Sequence, residues 1–145
     1  METVPAFIVL DEHDGREWYR PTGHTRGPWD PDACHAGPPT GLLVRAAERL
    51  LPDRQLVRIT VDLTRPIPHA GFTIEAVTAR AGRTVSTSEL AIVDADGRTV
   101  VTARGMHVAP LEPGDLGELA TTRYPVPPLT TSSTGTFPIP PAGHD

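Results

Sequence analysis

The segment from Cys34 to Leu43 reads CHAGPPTGLL and places two glycines and two prolines directly before an apolar, helix-like run. The first backbone N–H groups of a helix lack partners inside the helix, and the helix dipole adds positive potential there. Such groups can stabilise negative charge that develops on an oxygen atom of a ligand. Glycine allows a ligand to approach the backbone closely, and proline stiffens the segment without adding donors. The alternative is that the segment only packs a tight helix start.

His35 is the side chain of this segment best suited to proton transfer, because histidine exchanges protons near neutral pH. Its position predicts either a general base or a residue that orients the loop by hydrogen bonding, and the second role is the more ordinary one. Cys34 adjoins His35, but neighbouring side chains rarely point together. The sequence therefore indicates no thiol nucleophile here.

The six histidines and the single cysteine do not follow the spacing of metal ligands. Neither His-x3-His nor Cys-x2-Cys occurs, so the sequence predicts no metal centre. One cysteine also excludes an internal disulfide framework. We expect no metal or organic cofactor.

A single helix follows the Gly/Pro segment. Pairs of apolar residues recur every four positions from Leu42 to Leu51, which predicts a helix with one broad apolar stripe. Pro52 ends it. Because the helix has little polar surface for its length, we expect it to be mostly enclosed.

Strands account for most of the remaining chain. Alternating polarity and regularly spaced turn residues predict strands at 6–10, 16–20, 55–64, 72–80, 83–93 and 98–108. Asp14-Gly15 supplies the turn of an N-terminal hairpin. In the strand at 55–64, the apolar face is formed by every second residue from Val57 to Leu63, so Asp62 should point to the opposite side.

These elements predict an α+β fold in which a curved antiparallel sheet wraps around one helix. A sheet of this kind has open edges, and edge strands invite pairing with another chain. We therefore expect a homodimer that joins two sheets, or a higher homo-oligomer. The sequence predicts a domain over 1–110 and an extended or disordered Pro/Ser/Thr-rich tail over 111–145.

Composition limits the classes of partner. The 145 residues suit one domain, the formal charge is −5, and the basic residues are scattered arginines without a basic block. Nucleic acid is therefore not an expected partner. No apolar run approaches the roughly 20 residues needed to cross a bilayer. The N-terminus lacks a basic leader, so we expect a cytoplasmic protein without a signal peptide.

Several motifs together resemble one family. They are GPWDPDACHAGPPTGLLVRAAE, then ITVDLTRPIP, the Gly82-Arg83 turn and GRTVVTARGMHV. Over about residues 26–109 the chain is similar to the acyl-CoA thioesterase II-like branch of the hotdog superfamily. His35-Ala36-Gly37-Pro38-Pro39 stands where that family has His-Gly-Gly-Pro-Pro, with Ala36 replacing one glycine.

The resemblance implies a single hotdog domain, a thioester ligand such as acyl-CoA or an acyl carrier thioester, and a place in fatty acid metabolism. Members of this branch commonly hold two hotdog repeats, and this chain resembles the first, with a tail like the linker between them. The family's catalytic Asp, Ser/Thr and Gln lie mainly in the second repeat. No matching set occurs here, since Gln55 is the sole glutamine and Arg104-Gly105-Met106 stands where a catalytic Gln is expected.

The resemblance also gives the Gly/Pro segment a specific ligand. Ala36, Gly37, Thr40 and Gly41 are expected to line the thioester carbonyl site, with His35 as the candidate catalytic residue. Two strand-end arginines are candidate contacts for the CoA phosphates, namely Arg65 and Arg83.

Other candidates have ordinary interpretations that stay open. Asp62 and Glu48 read as solvated charges, although a carboxylate base across a dimer cleft or on the helix is an alternative. Asp30 and Asp32 read as turn residues. The two tryptophans, Trp18 and Trp29, are more often core or interface anchors than ligand platforms.

Two functions remain open on the sequence. The first is a homodimeric thioesterase that acts on acyl-CoA or carrier-bound acyl groups. The second is a non-catalytic unit that binds acyl thioesters or completes a split double hotdog. A hydratase-like hotdog is a third and weaker alternative.

Overall fold

The computed structural model describes residues 7–13, 15–110, 125–133 and 135. A hairpin precedes a single long helix, and four longer strands follow the helix. The elements are β1 (Ile8–His13), β2 (Arg16–Pro21), α1 (Gly37–Leu50), β3 (Gln55–Leu63), β4 (Thr73–Arg80), β5 (Val85–Val93) and β6 (Thr99–Val108). The order agrees with the sequence prediction, and the turn before β2 uses Gly15 at φ 72°.

The four later strands form one antiparallel sheet in the order β3-β6-β5-β4. The hairpin continues this sheet beyond β4, because Tyr19 and Phe72 exchange two backbone hydrogen bonds of 2.8 and 3.0 Å. The Tyr19 side chain hydrogen-bonds Glu17, which also pairs with Arg49 at 3.3 Å. Arg45 donates to the Tyr19 hydroxyl at 3.2 Å. These contacts attach the hairpin to α1.

α1 packs one face against the concave side of the sheet. Pro38 and Pro39 occupy its first turn, where proline costs nothing because those N–H groups have no helical partner. Leu43 and Ala47 are fully buried, while Glu48 is exposed. The expectation of a mostly enclosed helix is therefore wrong for this single chain: the sheet covers one face only.

β3 departs from its predicted phase. A bulge between Leu56 and Arg58 turns Val57 outward, with 46 % of its surface exposed, and brings Leu56 against the core. Ile59 and Val61 face inward as expected. An inserted residue shifts every side chain before it to the other face, which simple alternation cannot anticipate.

The core lies between α1 and the concave face of the sheet. Its largest fully buried apolar side chains are Phe72, Leu43, Ile92 and Val101. Each contributes about 1.5–3 kcal/mol relative to full exposure. The helix is therefore held in place mainly by apolar contact with the strands.

The division at residue 110 stays a proposal, because residues 111–124 lie outside the described part of the chain. The expected disorder of the tail falls largely on such residues. Within 125–133, the chain makes a short 3-10 turn at Leu129–Thr131.

Candidate functional site

The loop before α1 is held on both sides by backbone hydrogen bonds. His35 N donates to Thr25 O at 2.6 Å, and Cys34 N donates to Ile67 O at 2.8 Å. Further along, His69 N donates to Asp32 O at 2.9 Å. The loop thus lies between the segment after β2 and the segment after β3, so the start of α1 has a fixed position.

The start of α1 offers fewer free donors than the sequence suggests. Gly37 N donates to the imidazole Nδ1 of His35 at 3.1 Å, and Thr40 N donates to Ala36 O at 3.0 Å. The two prolines between them have no N–H. Among the described residues, no hydrogen-bond acceptor contacts the backbone N–H of Ala36, so this is the amide left open at the helix start.

His35 has a defined tautomer in this arrangement. Because Nδ1 accepts a hydrogen bond from Gly37, the neutral ring carries its proton on Nε2. The ring stacks against Trp29, with centroids 6.1 Å apart and planes 19° apart, and Trp29 is 78 % exposed. His35 therefore orients the loop by hydrogen bonding and presents an N–H to the outside.

The other predicted contacts lie at two separate ends of the sheet. Gly41 is exposed on the first turns of α1. Arg65 follows β3 and lies two residues before Ile67, whose carbonyl accepts the hydrogen bond from Cys34 N in the loop before α1. Arg65 therefore lies at the end of the sheet near the helix start. Arg83 lies in the β4–β5 turn, where its carbonyl accepts a hydrogen bond from Arg54 just beyond the end of the helix. The fold brings Arg65 to the candidate site and leaves Arg83 at the other end of α1.

The carboxylates lie away from the open amide or are used in turns. Asp62 projects from the face of the sheet opposite α1, and Glu48 is exposed on the helix. Asp30 accepts a hydrogen bond from Asp32 N at 2.8 Å, as a turn residue does. None of these is positioned as a base beside Ala36.

Cys34 lies half-buried beneath the loop, and burial raises the pKa of its thiol above the ordinary value. Its Sγ lies 3.8 Å from the Thr25 hydroxyl and 3.7 Å from Pro68 O. A protonated, half-buried thiol is a poor nucleophile. This agrees with the prediction that Cys34 is not a nucleophile.

Sequence reasoning missed a polar pair inside the core. Ser88 Oγ and His107 Nε2 lie 2.8 Å apart, and both residues are fully buried. His107 Nδ1 is buried without a hydrogen-bond partner in the described structure, and burial lowers the pKa of the imidazole. The pair has the separation of a nucleophile and its base, but neither side chain is exposed to solvent. Polar residues at inward positions of β5 and β6 were the available signal.

The described residues contain no group of three or more His, Cys, Asp or Glu side chains able to hold a metal ion. No helix in the described ranges has the length and apolarity needed to cross a membrane.

Comparison with protein families gives a match over most of the domain. The profile described as "Acyl-CoA thioesterase N-terminal domain" matches residues 25–108, which include the loop, α1 and the four-stranded sheet. No curated protein matches the chain.

Solved structures share the fold. A hotdog protein of unknown function from Alicyclobacillus acidocaldarius superposes with a TM-score of 0.66 at 24 % identity, over 91 % of this chain and 48 % of its own. A Bacillus halodurans protein solved with CoA superposes with a TM-score of 0.55 at 18 % identity, and the match covers 63 % of this chain and 68 % of that protein. A hypothetical thioesterase from Streptococcus pneumoniae solved with coenzyme A superposes with a TM-score of 0.57 at 15 % identity, and the match covers 70 % of this chain and 86 % of that protein. The chain spans about half the length of the Alicyclobacillus structure.

Proposed function

Given the match over residues 25–108, the chain belongs to the acyl-CoA thioesterase N-terminal domain family, and on that premise we propose that it binds acyl-CoA thioesters at the start of α1 and hydrolyses them. Its fold is a hotdog, and its function is acyl-CoA thioesterase-like. The observation that carries the proposal is the backbone N–H of Ala36, which has no acceptor among the described residues, next in the chain to His35, which is exposed and carries its proton on Nε2. Both donors suit the oxygen of a thioester carbonyl.

The reaction needs charge stabilisation and a proton acceptor. Water attacks the carbonyl carbon, the oxygen becomes negative, the C–S bond breaks, and the products are a carboxylic acid and the CoA thiol. Rotation of the exposed His35 ring away from Gly37 frees a second amide for the oxygen. The same rotation frees Nδ1 to take a proton from the attacking water.

The CoA moiety is proposed to extend towards Arg65, which lies at the helix-start end of the sheet. A guanidinium there suits phosphate oxygens through paired hydrogen bonds. Arg83 is less suited to the same ligand, because it lies beyond the opposite end of α1.

A homodimer through β3 is part of the proposal. β3 is an edge of the four-stranded sheet, and its Val57 and Leu63 are 46 % and 56 % exposed. Pairing two β3 edges satisfies the open backbone groups and covers these apolar side chains. The cytoplasmic location and the role in fatty acid metabolism stay predictions.

A non-catalytic unit that binds thioesters is the second candidate. The chain spans 48 % of the Alicyclobacillus protein, and Gln55, its sole glutamine, begins β3 rather than facing the helix start. Release of free thiol from a panel of acyl-CoAs, followed with a thiol reagent, separates the two. Turnover supports the hydrolase, whereas saturable acyl-CoA binding without thiol release supports the binding unit.

A further inference from the structure

On the outer face of the four-stranded sheet, opposite α1, the positively and the negatively charged side chains lie in separate rows. Strand register aligns Arg58 on β3 with Arg80 on β4 in one row across the sheet. Asp62 and Glu75 end a second row on the same two strands. The rows lie four residues apart on β3, or about 13 Å.

These four charges are exposed, and none has an ion-pair partner in the described ranges of the chain. Between the rows, Arg104 and Glu89 neutralise each other at 2.8 Å. The outer face therefore has a basic end, a neutral middle and an acidic end.

The acidic end is also concave. Ala91 and Thr102 are the small residues between Asp62 and Glu75, and they leave a groove of about 610 Å³ lined by both carboxylates. The groove has room for long side chains, and its charge suits cations. The basic row presents two such side chains, Arg58 and Arg80, at the same spacing across the strands.

We propose that a second copy of this chain docks outer face to outer face, so that Arg58 and Arg80 of each copy enter the acidic groove of the other. A two-fold axis across the strands places each basic row over an acidic row. A two-fold axis along the strands places like charges together and is disfavoured. The Arg104–Glu89 pairs meet near the axis, already neutralised. The two sheets then stack about 10 Å apart.

This contact is separate from β3 edge pairing and does not depend on thioester chemistry. If β3 edges also pair, outer-face docking makes a tetramer; if they do not, it makes a dimer. In either case, loss of the outer-face contact halves the mass of the assembly.

Charge reversal tests the docking. Arg58→Glu with Arg80→Glu, and separately Asp62→Arg with Glu75→Arg, should each halve the mass measured by light scattering. An equimolar mixture of the two variants should regain the wild-type mass, because opposite rows again face each other. The matched control, Arg16→Glu with Arg26→Glu, makes the same charge change in the hairpin and beside the loop before α1, away from both charged rows, and should keep the wild-type mass.

Two results overturn the proposal: an unchanged mass in either outer-face variant, or no recovery on mixing. A measurement on the wild type covers the case in which a variant does not fold. Raising salt from about 0.1 M to about 1 M shortens the Debye length from roughly 10 to 3 Å, so it should drive wild-type protein towards the halved mass. A mass unaffected by salt would contradict docking through these charges.

Discussion

The imidazole Nδ1 of His35 accepts a hydrogen bond of 3.1 Å from the backbone N–H of Gly37. The first N–H of α1 is therefore satisfied by the protein's own side chain. The bond is local and exposed, so a ligand that offers a better acceptor can replace it at small cost. The candidate site is thus closed by a single rotatable ring, and each of the first two predictions tests this closure.

Gly37→Val should abolish thiol release, with a loss of at least about 100-fold, the size expected when one oxyanion donor is removed. A Cβ at Gly37 meets His35 Nδ1 at 3.2 Å, so the larger side chain displaces the ring and occupies the carbonyl site. The fold should survive, because this glycine does not need positive φ. Thiol release and circular dichroism check the two claims.

Gly23→Ala is the control for that substitution. A Cβ there meets no atom within 4 Å, and Gly23 is not among the residues assigned to the thioester site. Thiol release should therefore stay close to wild type. Full activity in Gly37→Val would remove the helix start as the site.

His35→Asn separates capping from proton transfer. The asparagine oxygen can still accept a hydrogen bond from Gly37 N, but it cannot take a proton from water. If His35 is the base, kcat should fall by about 10²–10⁴-fold while acyl-CoA binding is retained. Wild-type kcat in this variant would leave His35 with the capping role alone.

Gly105→Ala should destabilise the protein by about 1–3 kcal/mol, as overpacking of a core does. A Cβ at Gly105 lies 2.5 Å from Ser88 Oγ and 3.0 Å from His107 Nε2, so it forces the buried pair apart. Gly23→Ala, where a Cβ meets nothing within 4 Å, is the control. Equal free energies of unfolding in the two variants would contradict the close packing around the pair.

His107 should make stability fall in mildly acidic solution. Burial lowers its pKa in the folded state, so below the ordinary histidine pKa only the unfolded chain binds the proton. The free energy of unfolding therefore keeps its full value above that ordinary pKa. It decreases as the pH falls below that pKa, by at most about 1.4 kcal/mol per pH unit for one group. Urea unfolding across pH measures the slope.

His107→Gln should flatten this part of the slope, whereas His24→Gln, at an exposed histidine, should leave it unchanged. If the wild type and His107→Gln have identical slopes, a group other than His107 causes the loss of stability in acid.

Local patterns predicted the fold well because side-chain periodicity follows from backbone geometry alone. The alternation of β5 and β6 predicted both strands within two residues of their bounds. The helix began at Gly37 rather than Leu42, since its first turn holds two prolines and a glycine and carries no apolar stripe. The Gly/Pro segment was correctly linked to a helix start.

The contacts that decide the chemistry depend on register and distance in space. Ser88 and His107 lie 19 positions apart and meet only because β5 and β6 pair in one register. Arg65 and Arg83 look equivalent in sequence, yet the fold sends them to opposite ends of α1.

By itself, the sequence determined the element order, the hotdog fold and the position of a candidate site, because these follow from local polarity and family motifs. The tertiary structure decided which amide is open at the helix start, which arginine lies near it and how charges align on the outer face. Those properties arise from hydrogen bonds and strand pairing between distant segments, which no local pattern encodes.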